Sequence, residues 1–233
     1  MEYKYGKNAN YEDFSSGRVL YHIKGMTNFP VRLAQEIYGR CLEYSPKKRE
    51  ITLYDPCCGG GYLLTVLGFL NQDTLGTIIG SDINPELLSI ARKNLSLLRT
   101  EGIEKRTEEI QEMMDLYQKP SHGEAQGSAL KLMTLLKREL VTQVFQADVL
   151  QGIPLTIQPD VIITDVPYGQ LVQWQGAEEN FTRRLLENLA KICTPQTIIG
   201  LCTNKKQKVQ IDGFSRLERQ QIGKRQFIIL RKN

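Results

Sequence analysis

Only two histidines, His22 and His122, occur in the chain, and no Cys-x-x-Cys pair does, so neither a zinc site nor a Ser-His or Cys-His nucleophile has its parts. Metal chemistry is not expected. What the sequence offers is hydrogen-bond acceptors at recurring places: Asp55, Asp82, Asp148 and Asp165 each close a run of β-prone residues. The first is followed by Pro56-Cys57-Cys58-Gly59-Gly60-Gly61, the last by Val166-Pro167-Tyr168-Gly169. Carboxylates accept from ribose hydroxyls or from the N–H groups of a planar base. Glycines let a backbone approach a ligand that any Cβ would push away.

Asp55 with Gly59 and Gly61 fits D-x-x-x-G-x-G, the S-adenosylmethionine (SAM) variant of the nucleotide-binding turn. The dinucleotide pattern G-x-G-x-x-G fails at Leu64, and a phosphate-cradling P-loop lacks its Gly-Lys-Ser/Thr. Asp82 lies 23 residues beyond Gly59, after the apolar run Gly76 to Ser81, where a carboxylate would meet ribose hydroxyls. Asp148 is placed to accept from an adenine amine, with a loop or capping role as the alternative. The expected cofactor set is Asp55, Pro56, Cys58, Gly59, Gly60, Gly61, Asp82, Ile83, Asp148 and Asp165. Packing of a tight turn against a helix is the plainer account of three glycines. If access is their purpose, Gly59→Val or Gly61→Val should abolish SAM binding and leave the fold intact.

Asp165-Val-Pro-Tyr168 resembles the (Asp/Asn/Ser)-Pro-Pro-(Tyr/Phe) signature of methyltransferases acting on planar amino groups, with Val166 in place of the first proline. Asp165 would accept from a base N–H, Pro167 would present a carbonyl without a competing donor, and Tyr168 would stack on the base. Because the methyl donor is already a charged sulfonium, these three catalytic candidates would act mainly by in-line positioning. A chance Pro-Tyr-Gly turn is the alternative.

The elements that must position these residues alternate between strand and helix. Strand-like runs cover Ile51 to Tyr54, Gly76 to Ser81, Val141 to Ala147, Asp160 to Thr164 and Thr197 to Cys202. A closing hairpin pairs Leu217 to Ile222 with Arg225 to Leu230 around Gly223-Lys224, a glycine-first loop suited to a II′ turn. Helical periodicity follows Pro30, Pro85 (with Asn84 as cap) and Phe181. The pattern predicts an α/β, Rossmann-like single domain over 1–233, with a lead-in at 1–49 that includes a strand-like Arg18 to His22. A helical insertion at 102–140 is expected as two arms broken at Pro120 to Gly127, their apolar faces carrying Met113, Met114 and Tyr117 and then Leu132, Met133, Leu135, Leu136 and Leu140.

With 41% hydrophobic and 24% charged residues the composition is that of a globular protein, and no apolar run nears the roughly 18 residues of a membrane helix. Five cysteines without paired spacing, and no signal-peptide hydrophobic region, point to a reducing cytoplasm, where the Asn94-Leu-Ser96 sequon would go unused. A net charge of +4 permits an RNA partner without requiring one. Lys205, Lys206, Lys208 and Arg225, with Arg216, Arg219, Lys224, Arg231 and Lys232 nearby, form the candidate RNA face, solvated surface charge being the default. Lys47-Lys48-Arg49 is a basic linker with the same two readings.

Taken together, Asp55 to Gly61, Ser81-Asp82-Ile-Asn-Pro85 and Thr164 to Gly169 resemble the AviRa type of ribosomal RNA methyltransferase, the avilamycin-resistance family. The Phe29 to Ala34 lead-in and the insertion resemble it too, so the likeness covers most of the chain. It implies a class I SAM-dependent fold with a seven-stranded, mostly parallel sheet and an antiparallel final strand. It also implies methylation of a guanine base in large-subunit (23S) rRNA, free or in a ribosomal precursor. A monomer is favoured. Whether Asp165 would face guanine N1–H or the exocyclic amine is left open. Two further readings remain: a methyltransferase of a protein glutamine or small-molecule amine, and a SAM- or RNA-binding module without turnover.

Overall fold

Ile51–Asp55 forms β1, whose alternation sends Leu53 to one face of a sheet and Tyr54 to the other, both buried. A strand buried on both sides belongs at a sheet's centre. In the computed structural model, which describes residues 2–22, 28–153, 156, 158–166 and 178–233, β1 pairs in parallel with β2 (Leu75–Asp82) and with β4 (Val161–Asp165). Outside β2 lies β3 (Val141–Gln146), and outside β4 lies β5 (Ile198–Asn204), both parallel. The chain closes with β6 (Phe214–Ile222) and β7 (Arg225–Lys232), β7 running antiparallel between β5 and β6. The order is β3-β2-β1-β4-β5-β7-β6. Gly223 takes φ 56° in the β6–β7 turn and Lys224 has no positive φ, the II′ pattern expected of a glycine-first loop.

Helices cover both faces. Leu53, Ile78 and Ile163 pack with α1 (Val31–Tyr44), α2 (Tyr62–Leu70) and α3 (Pro85–Ser96); Tyr54, Ile79 and Ile162 pack with Leu185 and Leu189 of a later helix, Glu178–Ala190. Between α3 and β3 the insertion forms α4 (Thr100–Tyr117) and α5 (Pro120–Leu135), so the Glu178–Ala190 helix is α6. The arms break only at Gln118-Lys119, not over Pro120 to Gly127. Proline is favourable as the first helical residue, and Gly123 and Gly127 face open space. Ala125, Ser128, Ala129 and Leu132 carry the buried face of α5, while the expected Tyr117 is 61% exposed.

The lead-in contains no strand at Arg18 to His22; a short 3₁₀ turn at Glu12–Phe14 precedes irregular chain. Side chains satisfy its backbone in place of a strand neighbour. Arg106 of α4 donates to Val19 O (2.8 Å) and Arg18 O (3.3 Å), and Asn94 of α3 exchanges two hydrogen bonds with the Tyr21 backbone. Further back, buried Glu36 accepts from the amides of Lys4, Tyr5 and Gly6 and from Arg40 Nε. No helix among the described residues is long and apolar enough to cross a membrane.

Candidate active site

The turn from β1 into α2 is tied down residue by residue. Cys57 N donates to Asp55 Oδ1 (3.0 Å), Cys58 N to Ser81 O (2.9 Å), Gly59 N to Asp82 Oδ2 (2.9 Å) and Gly61 N to Cys58 O (2.8 Å). Ser81 Oγ reaches Pro56 O, and Asn94 Nδ2 holds Gly60 O at 2.8 Å. Gly59 and Gly61 take φ of 52° and 74°, the left-handed region that glycine occupies without strain. A Cβ on Gly61 would lie 3.1 Å from Cα and Cβ of Ala91 in α3, so this glycine is needed for helix packing as well as for the turn. The Cys58 thiol lies against Gly80, and burial raises it well above the usual thiol range. All five cysteines are free thiols.

Asp82 ends β2 with its second oxygen accepting from Asn84 N (3.0 Å), and Asn84 in turn caps α3 through Glu86 N. Beside it Ile83 stands 49% exposed, an apolar side chain open to solvent at the sheet's carboxyl edge. Asp148 engages both oxygens in its own turn, with Leu150 N and Gln151 Nε2 at 2.9 Å each. Asp165 closes β4 opposite Cys202 of β5. Its Oδ1 is buried, the Cys202 thiol is its hydrogen-bonding neighbour among the described residues, and its Oδ2 lies 3.9 Å from Arg225 Nη2. The Arg225 guanidinium sits 5.6 Å from the centre of the Phe29 ring. Pro167 and Tyr168 lie outside the described residues.

These carboxylates gather where open α/β sheets bind ligands, beyond the strand ends at the switch in strand order between β1 and β4. Burial lifts the Asp55 carboxyl to about 7, with Asp82 and Asp165 adding like charge and the Cys57 amide working against the rise. Burial lifts Asp165 to about 6, against the pull of Arg225. Among the described residues no group of three or more His, Cys, Asp or Glu is arranged to hold a metal ion.

The cationic residues divide between the two ends of the sheet. Lys205, Lys206 and Lys208 are exposed just past β5, and Lys205 N donates to Lys224 O (2.9 Å), so the hairpin turn lies beside them at the site end. Arg231 and Lys232 are at the far end, donating to Tyr44 O and to Ala190 O and Cys193 O at the close of α1 and α6. They are helix caps and not part of that face. Lys47 pairs with Asp160 and Lys48 caps α1, also away from the strand ends that carry the site.

Sequence reasoning missed Asn94, Arg106 and Phe29. For Asn94 a signal existed: an amide in the apolar stripe of Ala91, Leu95 and Leu98 must find buried partners.

A sheet of this order, with a glycine turn after its first strand and an acid ending its second, defines a Rossmann-like methyltransferase of class I. The chain belongs to the AviRa rRNA methyltransferase family, whose model matches residues 1–225. It is 37% identical over 228 residues to the 23S rRNA (guanine(2535)-N(1))-methyltransferase of Streptomyces viridochromogenes, covering 94% of this chain and 91% of that one. The solved structure of rRNA methyltransferase aviRa from the same organism at 1.5 Å superposes with a TM-score of 0.91 at 35% identity, over 99% of this chain and 96% of that one. TrmN from Thermus thermophilus shares the fold alone, with a TM-score of 0.52 at 15% identity, over 88% of this chain and 49% of that one.

Proposed function

We propose that this protein transfers a methyl group from SAM to a guanine base nitrogen of 23S rRNA, N1 being the atom favoured by the name of its 37% identical relative. The observation that carries the reading is the glycine turn hydrogen-bonded to Asp82, with the buried Asp165 carboxylate closing β4, the strand on the other side of β1. These residues fit SAM. Gly59 and Gly60 are half-buried in the turn, Asp82 offers acceptors for ribose hydroxyls, Ile83 offers an apolar surface for an adenine face, and three clustered carboxylates suit a cationic ligand. Asp148 and Asp82 alike already accept one hydrogen bond at each oxygen, and the second lone pairs are what each offers, Asp82 to ribose and Asp148 to an adenine amine.

When bound, SAM supplies an electrophilic methyl carbon. The chain's own task is to hold the acceptor nitrogen in line with it. Asp165 accepts from the base N–H. Pro167 and Tyr168 enter on sequence grounds, as carbonyl acceptor and stacking surface. Lys205, Lys206 and Lys208 take RNA phosphates, leading the strand toward Asp165.

The test is methyl transfer from tritiated SAM to rRNA from a strain lacking this gene, offered as free 23S rRNA, as precursor particles and as mature subunits, followed by mapping of the labelled nucleotide. Label in one guanine of 23S rRNA supports the reading. Label confined to protein or to 16S rRNA, or SAM binding with no transfer to any of the three, overturns it.

A further inference from the structure

Gln226 is a polar side chain in the body of the sheet, 1% exposed at the second position of β7, between Thr203 of β5 and Gln221 of β6. A buried amide must be satisfied at both its nitrogen and its oxygen. Its Nε2 lies within hydrogen-bond distance of Thr203 Oγ1 (3.1 Å), Asn204 O (3.1 Å) and Gln207 O (2.6 Å), groups that bracket Lys205 and Lys206. The same turn is closed from within, Lys206 N donating to Asn204 Oδ1 and Gln207 N to Asn204 O, both at 3.0 Å. On its other side Gln226 Oε1 accepts from Arg219 Nε of β6 (2.8 Å). One amide thus ties the cationic turn after β5 to an arginine on the outermost strand.

Arg219 differs from the arginines that build the fold. Arg40, Arg138 and Arg183 each pair with a glutamate, which neutralises their charge locally. Arg219 is exposed, and among the described residues it is held by a neutral amide, with no carboxylate within salt-bridge distance. Its direction is fixed while its charge is kept whole. A guanidinium held at Nε still presents its Nη1–Nη2 edge, whose parallel N–H groups match two oxygens of one phosphate. Across the sheet Arg219 is level with Ile228, Leu201 and Thr164, the residue before Asp165. Three strand spacings put its backbone about 14 Å from β4, a span that a few nucleotides cover.

We propose that Arg219 is a phosphate contact for the rRNA and Gln226 its positioning residue, the buried amide aiming the guanidinium and fixing the turn of Lys205 and Lys206 as parts of one backbone clamp. The proposal rests on rRNA being the substrate. Lys205, Lys206 and Lys208 are exposed and have no carboxylate within salt-bridge distance among the described residues, so they attract a polyanion of any sequence. Lysine is a point charge on a flexible stem, which gives affinity without direction. The arginine held by Gln226 supplies the direction: a phosphate seated on its fixed edge sets the register of the strand, the step that must precede presentation of one particular base.

The experiment begins by finding which of free 23S rRNA, precursor particles and mature subunits accepts label from tritiated SAM, and that substrate is the probe. If no 23S rRNA accepts label, the underlying reading falls before any variant is compared. Binding against salt, SAM calorimetry and thermal unfolding are then measured for wild type, Arg219→Gln, Arg219→Lys, Gln226→Leu and the Arg219→Gln/Gln226→Leu double variant. Arg219→Gln should weaken rRNA binding about tenfold or more and lower the log–log salt slope by about 0.7–0.9, with SAM affinity and Tm unchanged. Arg219→Lys should keep the slope and still lose about 2–10-fold in affinity, because an ammonium cannot be held at Nε. Gln226→Leu removes no charge, yet should lower the slope toward that of Arg219→Gln, a change that loss of stability alone does not produce. The double variant should bind no more weakly than Gln226→Leu, since both substitutions act on one contact. Arg219→Gln binding within about twofold of wild type with an unchanged slope would leave Arg219 ordinary surface charge and overturn the proposal, whatever Gln226→Leu does to stability. Additive losses in the double variant would detach Gln226 from Arg219 and overturn its positioning role.

Discussion

Gly61→Ala separates two reasons for a glycine. At φ 74°, an alanine enters the left-handed region at a cost of about 1–2 kcal/mol. Its Cβ would also lie 3.1 Å from Ala91 Cα and Cβ and 3.4 Å from Ala91 O, atoms fixed to the α3 backbone that cannot rotate aside, an overpacking worth about 1–3 kcal/mol. The two contributions together come to about 2–5 kcal/mol, and at about 2–4 °C per kcal/mol for a chain of this length Tm should fall by about 4–20 °C. Gly123→Ala, in α5 with nothing within 4 Å of its Cβ, is the control with opposite sign, gaining about 0.8–1 kcal/mol of helix propensity. Thermal and urea unfolding followed by circular dichroism measures both. A Gly61→Ala protein melting within about 2 °C of wild type would refute the packing argument. It would return that glycine to ligand access alone, the reading under which even Gly61→Val leaves the fold intact.

Glu36→Gln should cost about 3–5 kcal/mol, because it removes the charge that three backbone amides and Arg40 converge on, and amide exchange at Lys4, Tyr5 and Gly6 should speed up accordingly. Burial opposes the Glu36 charge, but those donors outweigh it and hold the carboxyl below its ordinary range. Its contribution is therefore complete above about pH 4.3 and is lost as pH falls through the lower folded value, so wild type and Glu36→Gln should converge in stability in acid. Arg106→Ala should cost about 1–3 kcal/mol by leaving the buried Val19 O without a partner, with proteolysis of the lead-in as the sensitive readout. Replacing Lys205, Lys206 and Lys208 by Glu should weaken RNA binding and lower its log–log salt slope by about 2–3 without changing SAM affinity; an unchanged slope would place the RNA elsewhere.

Features set by neighbours in sequence were legible beforehand. The β1 run, the glycines behind Asp55 and the Asn84-Pro85 helix start are local patterns, and each formed where its residues indicated. What escaped was set by contacts between distant segments. The lead-in looked strand-like at Arg18 to His22 because Val19 and Leu20 are apolar, but they are buried under α3 and α4 while Asn94 and Arg106 take the backbone groups a strand would have paired. Basic residues showed the same limit. Arg225 and Arg231 are six positions apart on one strand, yet β7 carries one to Asp165 and the other to the end of α1. Spacing alone does not reveal which end of a strand faces the ligand.

The clasp on the lead-in also orders events during synthesis. Phe14, Val19 and Leu20 leave the ribosome long before the residues that cover them: Asn94 holds Tyr21, Arg106 holds Val19, and Ser128 bonds Asp13. At about 5–20 residues per second, those apolar side chains wait on the order of ten seconds for their partners. β6 waits as well, since it reaches the sheet only through β7, made after it. Arg225 enters with that last strand. A nascent chain thus makes β1, the glycine turn and β2 first, the helices that close the lead-in over them next, and the cation beside Asp165 only with the last strand of this sheet.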